Sequence, residues 1–255
     1  MKTYCLIVQY DGTDYAGFQI QPDHRTIQGE LEAALRRVGP NSIRIAGAGR
    51  TDAGVHSEGQ TVSFRDDGLT VPVERLPYAL NALLPQDIRV VASRLEAADF
   101  HARISALEKT YRYQIYEGEF PNVFYQRYAY WVRDPLDWQA IRECTELFLG
   151  ELDFAAFASS GSSAKTTVRT MSKVTVDTHG SLKMIRFTAD GFLYNMVRNL
   201  VGTLLDVGRG KLNLKKVQSI MESGDRRQTS ATIAAQGLFL ESVKYSRHVA
   251  VSVVE

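Results

Sequence analysis

The chain has 255 residues, 44% hydrophobic and 23% charged, with a formal net charge of +1. That length suits two small compact units better than one, and the composition is ordinary for a globular protein. The charge lacks the basic excess that announces a nucleic-acid binder, no apolar run approaches the roughly 20 residues of a membrane helix, and the apolar start Cys5-Leu6-Ile7-Val8 is too short for a signal peptide. In chain order, residues 5–9 read as a strand, broken by Asp11-Gly12. Thr26 has the chemistry of a helix N-cap; Leu31, Ala34, Leu35 and Val38 follow at helical spacing until Gly39-Pro40. Residues 43–46 read as a strand leading into a glycine-rich loop, 60–65 as an alternating strand, 73–84 as a helix stopped before Pro85, and 88–93 as a strand. The order β-α-β-β-α-β is that of a ferredoxin-like unit.

The second half repeats this pattern weakly. Residues 110–116 form a strand with Tyr111, Tyr113 and Ile115 on one face, and 136–149 a helix ended by Gly150. Residues 168–177 and 181–189 form a hairpin through His179-Gly180, and 192–207 a long apolar helix ended by Gly208. Residues 212–222 form a basic amphipathic helix ended by Gly224, and 238–245 a final strand. The Ser/Gly-rich stretch 158–163 reads as a mobile loop. The fold class is therefore α+β: two ferredoxin-like halves with antiparallel sheets, pseudo-twofold related, with a cleft between them. The halves are set at 1–104 and 105–247, with a tail at 248–255.

Side-chain chemistry narrows the function. Cys5 and Cys144 have no metal spacing and read as buried thiols of a reducing cytoplasm. The histidines His24, His56, His101, His179 and His248 show no paired spacing, so no metal is expected. No phosphate-cradling loop opens a helix: Gly47 and Gly49 supply two glycines of a dinucleotide fingerprint, but Asp52 stands where the third belongs, so no cofactor is expected. Charge is unevenly spread. Residues 209–227 hold six Lys/Arg against Glu222 and Asp225, and 101–133 mix Arg103, Lys109, Arg112, Arg127 and Arg133 with many tyrosines. Cations neutralise phosphates and aromatics stack bases, although each such residue taken singly is more often a solvated charge or a core tyrosine.

The densest chemistry lies in Gly47-Ala48-Gly49-Arg50-Thr51-Asp52-Ala53-Gly54-Val55-His56. A lone aspartate in a glycine loop is commonly a turn residue. Here Arg50 and His56 flank it after a strand, which is where polar clusters become sites. A carboxylate there can act as nucleophile or base without a cofactor. Arg198 sits among Met196, Val197, Leu200, Val201 and Leu204; a guanidinium in so apolar a helix either reaches solvent or needs a partner.

The segment Gly49-Arg50-Thr51-Asp52-Ala53-Gly54-Val55-His56 resembles the signature of the tRNA pseudouridine synthase A family. So, in the same order, do Tyr10-Asp11-Gly12-Thr13-Asp14-Tyr15-Ala16-Gly17-Phe18-Gln19, Thr26-Ile27-Gln28-Gly29-Glu30, Phe100-His101-Ala102-Arg103, Lys109-Thr110-Tyr111-Arg112-Tyr113, residues 192–202 and Gln236-Gly237-Leu238. Each block is short; the ordered set, spanning about residues 2–245, is specific. The resemblance implies an isomerase that converts uridine to pseudouridine at tRNA positions 38, 39 and 40, in the anticodon arm, as a homodimer whose subunits share one tRNA. It makes Asp52 the catalytic carboxylate and Arg198 its ion-pair partner. Tyr111 becomes the ring that stacks on the target base, with a hydroxyl placed to help remove the C5 proton. Arg50, Gln19 and Arg103 become substrate contacts. Two departures stand out: Tyr194-Asn195 where the family usually shows histidines, and Ala234-Ala235-Gln236 where prolines are common.

Two other readings compete. A non-catalytic RNA clamp or chaperone needs no buried carboxylate pair, so Asp52, Arg198 and Tyr111 together count against it. A metabolic enzyme acting on a small acidic ligand is disfavoured by the missing phosphate cradle and by the Tyr- and Arg-bearing strand. Fold alone separates none of these.

Overall fold

The computed structural model describes residues 1–39, 42–161 and 164–246. The expected tail at 248–255, His248, Pro40 and the end of the expected mobile loop, 162–163, lie outside the described residues. In chain order the elements are β1 Lys2–Tyr10, α1 Ile27–Val38, β2 Ala46–Gly47, β3 His56–Asp66, α2 Leu76–Asn81, β4 Ile88–Glu96, β5 Ala106–Glu117 and β6 Tyr130–Val132. There follow α3 Trp138–Thr145, β7 Gly150–Asp153, β8 Val168–His179, β9 Leu182–Ala189, α4 Met196–Gly208, α5 Leu214–Ser223 and β10 Leu238–Tyr245. The architecture is mixed α+β with mostly antiparallel pairing, and the chain divides into two compact units.

The first unit holds Met1–Leu107 together with the segment that starts at Phe239. β1 pairs antiparallel with both β3 and β4, and β3 takes two partners on its other edge: β2 antiparallel at Ala46↔Ser63, and β10 parallel at Phe239↔His56. A boundary at 247 follows chain order; the contacts instead give β10 to the first unit. Leu6, Val8, Val62 and Phe64 project from the sheet onto Leu31 and Leu35 of α1 and Leu76 and Leu80 of α2. Thr26 caps α1 as its chemistry suggests, accepting the Gly29 N–H.

Two expected elements of this unit are shorter than their sequence patterns. Of the strand at 43–46, only Ala46 extends into β2. Ile43 and Ile45 are buried, but the Ile45 N–H donates to the Glu32 carboxylate of α1 at 3.1 Å rather than to a strand. The helix expected over 73–84 opens as a 3-10 turn, Val73–Arg75, and is helical only at Leu76–Asn81. There the Asn81 amide turns to both backbone groups of Val90, at 2.8 and 2.9 Å.

The second unit, Glu108–Leu238, orders its strands β5-β9-β8-β7, all antiparallel, with β6 parallel beside β5. Tyr113, Ile115, Ile185 and Phe187 of the sheet are fully buried, as are Ile141, Leu200, Leu204, Val217 and Ile220 of the helices. α4 is apolar on nearly every side and runs through the interior. The helix expected over 136–149 starts at its Asp137 cap and ends at Thr145. Gly150, expected to stop it, instead opens β7 with φ +100°. α4 starts four residues later than expected, because Asn195 before it is left-handed, at φ 59°. β6 is three residues long, too short to carry a strand's alternating pattern. α5 has the Asn213 cap and Gly224 stop of a regular helix.

Candidate active site

The Asp52 loop is built by interlocking two stretches of the first unit. From β2 the chain returns along β3: the Ala48 N–H donates to Thr61 O at 2.8 Å. The Gln60 side chain then closes on Gly49 from both sides, accepting its N–H at 3.2 Å and donating to its carbonyl at 2.7 Å. Thr51 is buried and doubly held. Its hydroxyl shares a 2.8 Å hydrogen bond with the buried Tyr10 hydroxyl, and its carbonyl accepts the Phe18 N–H at 3.0 Å. Burial pushes the Tyr10 pKa up to about 12, so Tyr10 stays a neutral phenol at physiological pH. Asp52 itself is half-buried, and its carbonyl closes the turn by accepting the Val55 N–H.

The stretch 11–19 packs directly on this loop, and its glycines are there for clearance. A Cβ at Gly12 would lie 1.9 Å from the Val55 carbonyl oxygen. Gly17 has φ +101°, and a Cβ there would lie 2.7 Å from Thr51 O. His56, 1% exposed, ends the loop: its Nδ1 accepts the Gly12 N–H at 3.1 Å, and its ring stacks on Phe239 of β10 at 4.6 Å. Two motifs that lie far apart in sequence are thus halves of one structure, which fixes the backbone on both sides of Asp52. Arg50 and Gln19 are exposed beside it. Arg103 is exposed elsewhere: its neighbour Ala102 donates to Ser63 Oγ, and Ser63 lies three residues from Gln60 on β3 and so on the opposite face.

Tyr111 and Arg198 belong to the second unit. Tyr111 is 8% exposed on β5, opposite Phe187, with its ring edge-on to Phe192 at 4.9 Å. Two residues on, Tyr113 is fully buried and donates to Ala234 O at 2.7 Å. Burial raises its pKa strongly, and the Arg198 charge acts in the opposite direction. Arg198 is half-buried; its Nε donates to Ile233 O at 2.7 Å and its Nη1 to Asn195 Oδ1 at 2.9 Å. Both departures noted in the sequence therefore sit around this group: Asn195 holds the guanidinium, and Ala234 receives the Tyr113 hydroxyl.

A family model described as tRNA pseudouridine synthase matches residues 6–104 and 145–246. The chain belongs to the tRNA pseudouridine synthase family. Relatives named tRNA pseudouridine synthase A are similar over nearly their full length. One from Acetivibrio thermocellus is 42% identical over 245 residues, 96% of this chain and 100% of the relative. One from Bacillus subtilis is 43% identical over 248 residues, 96% and 99% of the two chains. One from Halalkalibacterium halodurans is 44% identical over 239 residues, 93% and 90%. In this tRNA pseudouridine synthase, no three His, Cys, Asp or Glu side chains are grouped to hold a metal ion, among the described residues. No described helix is long and apolar enough to cross a membrane. Sequence reasoning singled out Asp52, Tyr111 and Arg198 but gave no role to the residues that hold their surroundings: Tyr10, Thr51, Gln60, Asn195 and Asn199. The one available signal was polarity out of place, such as Asn199 inside an otherwise apolar helix.

Proposed function

We infer that this protein isomerises uridine to pseudouridine in tRNA, with Asp52 as the catalytic carboxylate. Membership of the family carries the reaction. The locked loop supports the residue: Thr51 is fixed at its side chain and its carbonyl, so the adjacent carboxylate starts from a set backbone position. In the reaction the N1–C1′ bond breaks, the uracil turns, C5 bonds to C1′, the C5 proton leaves and N1 gains a proton, so that product and substrate are isomers. The base must first leave its stack, at a cost of a few kcal/mol. Asp52 then attacks C1′ or C6, or removes the 2′ proton; each route needs it ionised.

The finer assignments follow the family resemblance. Arg198 pairs with Asp52 and favours its charged form. Tyr111 stacks on the base and assists loss of the C5 proton, and Arg50, Gln19 and Arg103 contact the RNA. The targets are positions 38–40 of the anticodon arm, and the working form is a cytoplasmic homodimer that uses no cofactor. The fold we propose is the family's two ferredoxin-like halves; the order β1-α1-β2-β3-α2-β4 supports the first half and the family model's match to two stretches supports the repeat.

The test is a single-turnover assay on an unmodified tRNA transcript carrying C5-tritiated uridine in the anticodon arm. Tritium release by the wild type, with Asp52→Asn binding the transcript but releasing none, establishes the isomerase and its carboxylate. Tight binding without release by either protein returns the clamp reading. Substantial release by Asp52→Asn removes Asp52 from the chemistry.

A further inference from the structure

One face of α4 carries more polar bonding than the pairing of Arg198 explains. Asn199, fully buried, donates from Nδ2 to Phe157 O at 2.7 Å. Its Oδ1 accepts from Arg226 Nη2 at 2.9 Å and from the Thr232 hydroxyl at 2.6 Å. Arg226 in turn donates to Ser230 O at 3.0 Å, to Thr232 Oγ1 at 2.9 Å and to the Thr229 hydroxyl. One turn further along α4, Gly202 lets this segment lie against the helix: a Cβ there would fall 2.7 Å from Ala231 O. Beyond it, Asp206 accepts the Ser230 hydroxyl at 2.7 Å. The segment ends at Ile233, whose carbonyl holds Arg198 Nε.

Arg226 is chemically out of place in a merely solvated role. Among the described residues it makes no ion pair; every hydrogen-bond acceptor it uses is a neutral oxygen. Burial pulls its pKa below the ordinary arginine value, with no carboxylate to offset the cost. A guanidinium held this way gives up charge stabilisation and gains geometry, since its planar fork can bond several acceptors of one loop at once.

We propose that Arg226 and Asn199 are positioning residues for Arg198: together they fix the segment 229–233 against α4 and so place the Ile233 carbonyl that orients the Arg198 guanidinium. The proposal rests on the pairing of Arg198 with Asp52 inferred above. Neither residue touches substrate in this account; they act through a carbonyl.

The experiment compares Arg226→Lys, Thr232→Val, Arg198→Lys and the double variant Arg198→Lys/Arg226→Lys in the same tritium-release assay. It is read as the rate constant at saturating enzyme, which does not depend on what fraction of a preparation is folded. Lysine keeps the charge of Arg226 but cannot span its acceptors. We expect Arg226→Lys to slow the saturated rate about tenfold and Thr232→Val about threefold, with half-saturation within about twofold of wild type. We expect Arg226→Lys to cause no further loss in the Arg198→Lys background, because the group it positions is already gone. A wild-type rate in Arg226→Lys, with Arg198→Lys slow, overturns the clamp and leaves the Arg198 pairing standing. Independent, multiplying losses in the double variant also overturn the clamp. A wild-type rate in Arg198→Lys overturns the pairing and the clamp with it. Should Arg226→Lys fail to fold, Thr232→Val decides alone: a slowed rate at unchanged half-saturation supports the proposal, and a wild-type rate overturns it.

Discussion

At the residue scale, the Asp52 loop depends on side chains that are absent. Gly17 is left-handed and presses on the Thr51 carbonyl, so Gly17→Ala incurs both backbone strain and a steric clash. We expect a loss of roughly 1–3 kcal/mol in urea unfolding, together with a fall in turnover larger than the stability loss explains, because the displaced atom is one residue from Asp52. A variant with wild-type stability and rate would show that the two stretches do not brace each other. Thr51→Val probes the same brace more gently: it removes the shorter of two hydrogen bonds to a buried phenol and leaves the Gln60 amide in place, and we expect a loss of about 1 kcal/mol in urea unfolding. The Asp52 loop stands out in the sequence because its residues form a recognisable pattern within ten positions. The partners of Arg198 were not. Asn195 is three residues away, but Ile233 is thirty-five away and contributes only a carbonyl, which any residue would supply. A backbone acceptor leaves no trace in residue identity.

At the element scale, the strands were read more faithfully than the helix ends. β-branched and aromatic runs such as 238–245 carry their state in local composition, and β10 matches its expected bounds. α1 was also legible, because its Thr26 cap is a side chain, and the end of α5 because a glycine stops it; the Asn213 cap of α5 sets its start two residues later than expected. α4 was not: apolar residues continue upstream of Met196, and the break comes from a left-handed Asn195 selected by tertiary bonding. The strand at 43–46 failed for a related reason, since a carboxylate took the place of a strand partner. Glu32→Ala tests that substitution of roles. It leaves the Ile45 N–H buried without its acceptor, and we expect a loss of about 1–3 kcal/mol in urea unfolding; a change below about 0.5 kcal/mol would mean that water or a neighbour replaces the carboxylate.

At the scale of the whole molecule, each unit hides a thiol. Burial raises Cys5 in the first and Cys144 in the second to about 12, and Tyr10 to the same value. In the unfolded chain these groups ionise near their ordinary values of about 8.5 and 10. The folded state therefore keeps protons that the unfolded state releases, and stability falls as pH rises. The stabilisation is complete below about pH 8 and is lost progressively toward pH 12. Urea midpoints measured from pH 7 to 11 check the sign: a flat profile to about pH 8, then a decline that is shallower in Cys5→Ala. A midpoint that rises with pH above 9 would contradict the burial of these groups.

The return of β10 to β3 has a consequence in time. His56 and Ser57 have no strand on that edge until Phe239 and Leu240 arrive. More than a hundred residues separate Leu107 from Phe239, so a ribosome needs on the order of ten seconds to supply the missing strand. Throughout that interval the emerging first unit exposes a sheet edge next to the very turn that carries Asp52, and the ring beneath His56 is not yet made. The Asp52 loop is synthesised long before the strand that closes its edge.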